Sequence, residues 1–248
     1  MKILIFGGTT EGRALSHLLA EKGAEVTVCV ATDYGREEQG DVPGVTVLTG
    51  RRTPEEKRAL LRGCDLCVDA THPYAVEVTK SVRAACAEAG VPYRRLLRGQ
   101  GGELDADTVV VDSAAEAAEL LAKTEGNILL TTGAKELGAF SMLEPSRLFA
   151  RVLPTHESLA ACEAAGIPHR NILAMQGPFS QELNEALLRQ FRIAALVTKD
   201  GGKVGGFPEK VLAARRTGVR LILIRRPDEA GETFEEIVKS CEELMKCL

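Results

Sequence analysis

Lys2-Ile3-Leu4-Ile5-Phe6-Gly7-Gly8-Thr9-Thr10-Glu11-Gly12 is the stretch that decides how this chain folds. A short apolar run ends at paired glycines, and the residues beyond them change period. Ala14, Leu15, Leu18 and Leu19 recur at helical spacing within a helix predicted over 11–22, which Gly23 stops. Strand, glycine turn and amphipathic helix form the first step of an α/β layer structure, and the rest of the chain repeats that step. Further strands are predicted at 25–30, 45–49, 66–69 and 93–97, with helices from the Thr53-Pro54-Glu55-Glu56 capping box to about 61 and over 75–89.

The second half follows the same plan. Strands are predicted at 128–131, 148–153, 171–175, 194–199 and 221–224. Helices follow the Ser113-x-x-Glu116 box and lie near 158–165, 181–190, 209–217 and, after the Thr233-x-x-Glu236 box, 234–246. About ten strands are too many for one doubly wound sheet with short connections. The expectation is therefore α/β, with two Rossmann-like domains built on parallel sheets. The boundary is placed near Thr124-Glu125-Gly126, giving an N-terminal dinucleotide-binding domain over 1–124 and a second domain over 125–248.

Composition narrows the function. With 31 Lys+Arg against 35 Asp+Glu and a net charge of −4, the chain is not expected to bind nucleic acid through bulk charge, although a local basic pocket stays open. No apolar run approaches the roughly 18 residues of a membrane span, so no membrane association is expected. The N-terminal apolar run is cut by Gly7-Gly8 and reads as a strand, not a signal peptide. Seven cysteines without an export signal read as reduced thiols of a cytoplasmic protein. Cys64-Asp65-Leu66-Cys67 leads into a strand, whereas a redox pair of this spacing needs a helix N-terminus to lower a thiol pKa, so its cysteines read as small hydrophobes.

Gly7, Gly8, Thr9, Thr10, Glu11 and Gly12 lie where a dinucleotide-binding turn belongs, because backbone N–H groups and a helix N-terminus receive a pyrophosphate there. Thr9 stands at the middle glycine position, so the hydroxyls of Thr9 and Thr10 are candidate phosphate donors. Glu11 either points away or cups a ribose hydroxyl. The competing reading is a tight turn with no ligand. Asp69-Ala70-Thr71-His72-Pro73-Tyr74-Ala75 also follows a strand and opens a helix, so Thr71, His72 and Tyr74 are expected beside the same crevice. His17, His156 and His169 read as surface or packing residues, no histidine pair has metal-ligand spacing, and no protein-bound metal is expected. The strand ends of the second half, Thr131-Thr132-Gly133-Ala134-Lys135, Gln176-Gly177-Pro178-Phe179-Ser180 and Thr198-Lys199 to Lys203 and Gly206, place lysines beside glycine turns, as a polyanionic ligand requires.

These motifs, in this order and over the whole chain, resemble the precorrin-6A reductase family of corrin biosynthesis, with Thr71-His72-Pro73-Tyr74-Ala75 the most specific element. The resemblance implies two Rossmann-like domains with a cleft between them, where a nicotinamide cofactor and a tetrapyrrole meet. It implies hydride transfer to the C18=C19 double bond of precorrin-6A or its cobalt form, giving the corresponding 6B product. It also implies NADH for the cobalt-loaded branch and NADPH for the metal-free branch. On this reading Gly7, Gly8, Thr9, Thr10, Glu11, Asp33 and Thr71 hold the cofactor. Thr132, Lys135, Lys199, Lys203 and Gly206 hold the carboxylated macrocycle, and the proton comes from His72, Tyr74 or water. Asp33 is the acid near the end of the second strand and favours NADH, while Arg36 keeps NADPH open. A short-chain dehydrogenase would need Tyr-x-x-x-Lys, but Tyr34, Tyr74 and Tyr93 precede Glu38, Val78 and Leu97 at that spacing. A non-catalytic dinucleotide sensor would leave the polar loops of the second half without a purpose.

Overall fold

The computed structural model describes residues 1–99, 104, 107–202 and 205–247. The first half runs β1 (Lys2–Phe6), α1 (Thr10–Glu21), β2 (Glu25–Val30), α2 (Asp33–Gln39), β3 (Val45–Thr49), α3 (Pro54–Leu61), β4 (Leu66–Asp69), α4 (Val76–Ala89) and β5 (Tyr93–Arg95). The second runs β6 (Val109–Val111), α5 (Ala114–Leu121), β7 (Asn127–Leu130), β8 (Leu148–Val152), α6 (His156–Ala164), β9 (Ile172–Ala174), α7 (Gln181–Gln190), β10 (Ile193–Lys199), α8 (Phe207–Thr217), β11 (Arg220–Ile224) and α9 (Phe234–Cys247). A tight 3-10 segment, Ala134–Phe140, follows β7.

Among the described residues the strands form two wholly parallel sheets, ordered β3-β2-β1-β4-β5 and β6-β11-β10-β7-β8-β9. Counting from β7, the second sheet repeats the order of the first, with β6 added at its far edge. In each sheet the winding reverses between two neighbours, β1 and β4 in one and β7 and β10 in the other. Ligands bind beyond the strand carboxyl ends at such a reversal. Central strands covered on both faces read as unbroken apolar runs, and every residue of β4 and of β8 is buried.

The chain divides into unit 1, residues 1–98 with 227–248, and unit 2, residues 99–226. This differs from a boundary near residue 124. The triplet β6 pairs with β11, Val109 opposite Ile222, so residues ahead of 124 belong to unit 2. The closing helix α9 returns to unit 1, where Ile237 and Cys241 are fully buried with Leu15 and Leu19 of α1. Two further differences are local. Residues 33–39 form α2, capped by the Thr32 hydroxyl, which accepts from the Gly35 N–H at 3.1 Å. The expected strand at 93–97 pairs as β5 only to Arg95, and beyond it Leu96 and Leu97 bridge to Glu232 of the returning segment.

The other face of the first sheet is packed by Leu4, Phe6, Leu61, Val82 and Cys86. In unit 2, Leu129, Leu196, Phe207, Ala213 and Leu223 share one core. The cysteines at 29, 64, 67, 86, 162 and 241 are free thiols, Cys67 buried and Cys64 half-buried with its thiol on the Leu60 carbonyl. Among the described residues no helix is long and apolar enough to cross a membrane.

Candidate active site

In unit 1 the glycine turn sits at the reversal between β1 and β4. The Gly7 N–H donates to the Cys29 carbonyl at 2.8 Å, which continues the β1–β2 ladder into the turn. Gly8 is exposed with φ 138°, and a Cβ there would meet nothing within 4 Å. Its bare backbone therefore faces open space, which a ligand's phosphates can approach. Gly12 is the opposite case: a Cβ there would lie 2.6 Å from the Ala70 Cβ, so this glycine lets α1 pack directly on the end of β4. An open glycine followed by a close-packed one is the division of labour a dinucleotide turn requires. The turn thus fits a nicotinamide dinucleotide.

Thr9 takes a different part from the one expected. Its hydroxyl accepts from the Gly12 N–H at 3.1 Å, capping α1, and donates to the Ala70 carbonyl at 2.9 Å. The proton expected to serve a phosphate is spent on holding the glycine turn against the loop after β4. Thr10 is exposed at the first position of α1, beside the N–H groups that precede the first intrahelical bond. Glu11 is half-buried and receives the Arg98 Nε at 3.1 Å. Asp33 is exposed at the first position of α2, and Arg36 donates to the Val47 carbonyl at 3.3 Å and lies 3.6 Å from Asp41.

The loop after β4 rests on a buried ionic network that sequence reading did not find. Asp69, fully buried, accepts at Oδ1 from the Thr71 N–H (3.0 Å), the Thr71 hydroxyl (2.7 Å) and Arg95 Nη1 (2.8 Å), and at Oδ2 from the Tyr93 hydroxyl (3.0 Å). Arg95 in turn donates to both carboxylate oxygens of Glu229, at 3.0 and 3.1 Å. Burial, then the neighbouring Asp69 charge, pushes the Tyr93 phenol up from its ordinary value, so this tyrosine stays a neutral donor. Thr71, expected at the cofactor, is thus committed to Asp69 and orients the loop. The signal available in the sequence was Arg95 on the inward side of a predicted strand. Its second partner, 134 residues away, carries no local signature.

His72 and Tyr74 project from that loop, both half-buried, with ring centroids 5.6 Å apart. The Tyr74 N–H reaches His72 Nδ1 at 3.4 Å.

In unit 2 the reversal between β7 and β10 gathers Thr131, Thr132 and Lys135 after β7, Thr198 and Lys199 at the end of β10, and Gly206 beyond it. The Thr131 N–H and hydroxyl both donate to the Val197 carbonyl at 2.9 Å. Thr132 is buried and its hydroxyl oxygen has no hydrogen-bond partner, an orphaned polar group at a strand carboxyl end that a ligand can satisfy. Lys135 is exposed. Lys199 is 14% exposed and ion-paired with Glu136, so its charge is already met within the unit, contrary to the expectation of a cation held for the ligand alone. Gly206 caps α8 at φ 68° with Pro178 and Phe179 close by. Lys203 lies outside the described residues. Among the described residues no cluster of His, Cys, Asp and Glu could hold a metal ion.

The chain matches the precorrin-6x reductase CbiJ/CobK family over residues 2–248. It is 39% identical over 246 residues to a cobalt-precorrin-6A reductase of Priestia megaterium, covering 95% of this chain and 96% of the relative. A cobalt-precorrin-6A reductase of Methanothermobacter thermautotrophicus is 35% identical over 259 residues, covering 100% of this chain and 85% of that one. Among solved structures, a CobK precorrin-6A reductase superposes with a TM-score of 0.78 at 25% identity, covering 98% of this chain and 96% of the other.

Proposed function

The chain belongs to the precorrin-6x reductase family of cobalamin biosynthesis, nicotinamide-dependent oxidoreductases acting on a ring C=C bond, and on that premise we propose that it reduces the C18=C19 bond of cobalt-precorrin-6A with NADH. The observation that carries this reading is the junction of Thr9, Gly12 and Ala70: one hydrogen bond of 2.9 Å and one close packing contact hold the glycine turn and the His72 loop together at the same sheet edge. A bound nicotinamide supplies the hydride, so the protein has to orient two rings and provide a proton.

Gly8 and the first turn of α1 receive the pyrophosphate. Asp33 stands at the start of α2 for the ribose hydroxyls, where its carboxylate repels a 2′-phosphate, and Arg36 is engaged with Val47 and Asp41. His72 as imidazolium is the proton donor and returns to the neutral ring as the proton leaves, with the Tyr74 ring packed beside it. Thr132, Lys135 and Gly206 face the carboxylated substrate, and Lys199 joins them by exchanging Glu136 for a substrate carboxylate. The relatives named for the cobalt form support the metal-loaded substrate.

Anaerobic incubation with cobalt-precorrin-6A and NADH is expected to give the 6B absorption spectrum with one NADH oxidised per macrocycle. The kcat/KM for NADH should be at least that for NADPH, and Asp33→Ser should move the ratio toward NADPH. Reduction only of the metal-free substrate, or an NADPH preference of about tenfold (1.4 kcal/mol) or more, overturns the finer assignment. No reduction of either substrate overturns the reading itself.

A further inference from the structure

Arg151 lies near the carboxyl end of β8, on a strand buried at every residue, and is itself 6% exposed. Its guanidinium sits 4.1 Å over the Phe179 ring, and its Nη1 donates to Asn184 Oδ1 at 2.8 Å. Among the described residues no carboxylate reaches ion-pairing distance of it. Arg95 of unit 1 is a control within the same chain: it is equally buried, but Asp69 and Glu229 both neutralise it. A buried charge normally has a counter-charge, because desolvation penalises the ion far more than one neutral hydrogen bond returns. Burial pulls the Arg151 guanidinium down to about 10, with no acid opposing the shift.

The surroundings are built to hold this cation in place. The Asn184 amide donates to the carbonyls of Phe179 (3.3 Å) and Ser180 (2.8 Å), which aims its Oδ1 at Arg151. The Phe179 ring packs so closely over Gly177 that a Cβ there would fall 2.9 Å from it. Gly177, Phe179 and Asn184 thus fix one face and one N–H of the guanidinium, and the remaining N–H groups keep the fork geometry that suits a carboxylate. The strand ends where ligands of an open α/β sheet bind.

We propose that Arg151 is a carboxylate-binding residue of unit 2, its missing counter-ion being an acidic side chain of the tetrapyrrole. This rests on the functional reading above and adds a substrate anchor that is already positioned before substrate arrives. Such an anchor binds ground state and transition state alike, so its loss shows in KM and not in kcat.

The test titrates the parent, Arg151→Met and Arg151→Lys with uroporphyrin, an octacarboxylate tetrapyrrole, and with a tetracationic porphyrin of similar size, following absorbance. Arg151→Met should weaken uroporphyrin binding about tenfold or more, the scale of a charge-assisted hydrogen bond, and leave the cationic porphyrin unaffected. Arg151→Lys, which keeps the charge and loses the fork, should fall between. Because the wild-type charge is buried unpaired, Arg151→Met should melt no lower than the parent. Equal uroporphyrin affinity in parent and Arg151→Met overturns the proposal. So does a drop in melting temperature with both porphyrins weakened together, the mark of a purely structural arginine. Reduction assays separate this from the reading it rests on. A parent that binds uroporphyrin through Arg151 but reduces no corrin precursor keeps the anchor and overturns the reductase. A parent that reduces cobalt-precorrin-6A, with KM unchanged in Arg151→Met, does the reverse.

Discussion

Gly12 and Thr9 show how single residues set the geometry of the first site. A methyl group at Gly12 would force α1 away from Ala70, and the Thr9 hydroxyl holds the same two segments together from the other side. The loop bearing His72 is thereby placed by the same few atoms that shape the dinucleotide turn. His72→Ala removes the ring that stands beside Tyr74 on that loop, and a melting curve checks that the scaffold survives. The substitution is expected to lower kcat about 10²–10⁴-fold, the usual contribution of general acid–base catalysis, while NADH and substrate affinities hold. Steady-state kinetics beside a cofactor titration decide this, and a kcat within threefold of the parent would make His72 a loop residue only. Gly8 behaves differently from a freely substitutable position: at φ 138°, any side chain costs backbone strain as well as phosphate access, so Gly8→Val should lower both cofactor affinity and melting temperature.

At the scale of elements, the loop after β4 depends on β5 and on the returning segment through Arg95. Asp69 and Arg95 have side chains 0% and 2% exposed, and Glu229 completes the chain of charges. Arg95→Met removes the shared partner and leaves the buried Asp69 carboxylate with the Thr71 and Tyr93 donors and the more distant Lys57 charge, a loss of up to about 3–5 kcal/mol. Urea denaturation should show the midpoint falling by a corresponding amount. A change under about 1 kcal/mol would reject the assignment of Arg95 as the residue that holds the Asp69 charge. The same network ties the Thr71 N–H and hydroxyl to Asp69, which orients the loop. The capping boxes, by contrast, act locally: Thr53 and Glu56 exchange hydrogen bonds of 2.7 and 3.2 Å within one turn, and their sequence spacing was enough to place α3.

For the whole molecule, the units are 1–98 with 227–248, and 99–226. A fragment of residues 99–226 should melt cooperatively by circular dichroism, since it carries its complete six-stranded sheet. A fragment of 125–248 should not, because it lacks β6 and α5 and carries α9 without the Leu15 and Leu19 surface that buries Ile237 and Cys241. Cooperative melting of the second fragment and not the first would reject this division.

What the sequence by itself determined is what short-range chemistry writes: alternating strands and helices, capping boxes, the glycine turn after β1, and the Thr-His-Pro-Tyr-Ala loop after β4. Hydrophobic period and turn residues act within a few positions, so the α/β class and the family could be read along the chain. Tertiary structure alone decided the rest. Whether three valines at 109–111 form a strand depends on β11, more than a hundred residues later, offering its edge. Whether α9 closes the second unit or the first depends on which buried surface is left uncovered. Thr71 and Lys199 read as ligand-facing residues until their partners, Asp69 and Glu136, were seen beside them. Arg151 carried no motif; only burial without a counter-ion sets it apart, because the cost of a charge is fixed by everything packed around it and by nothing in its own name.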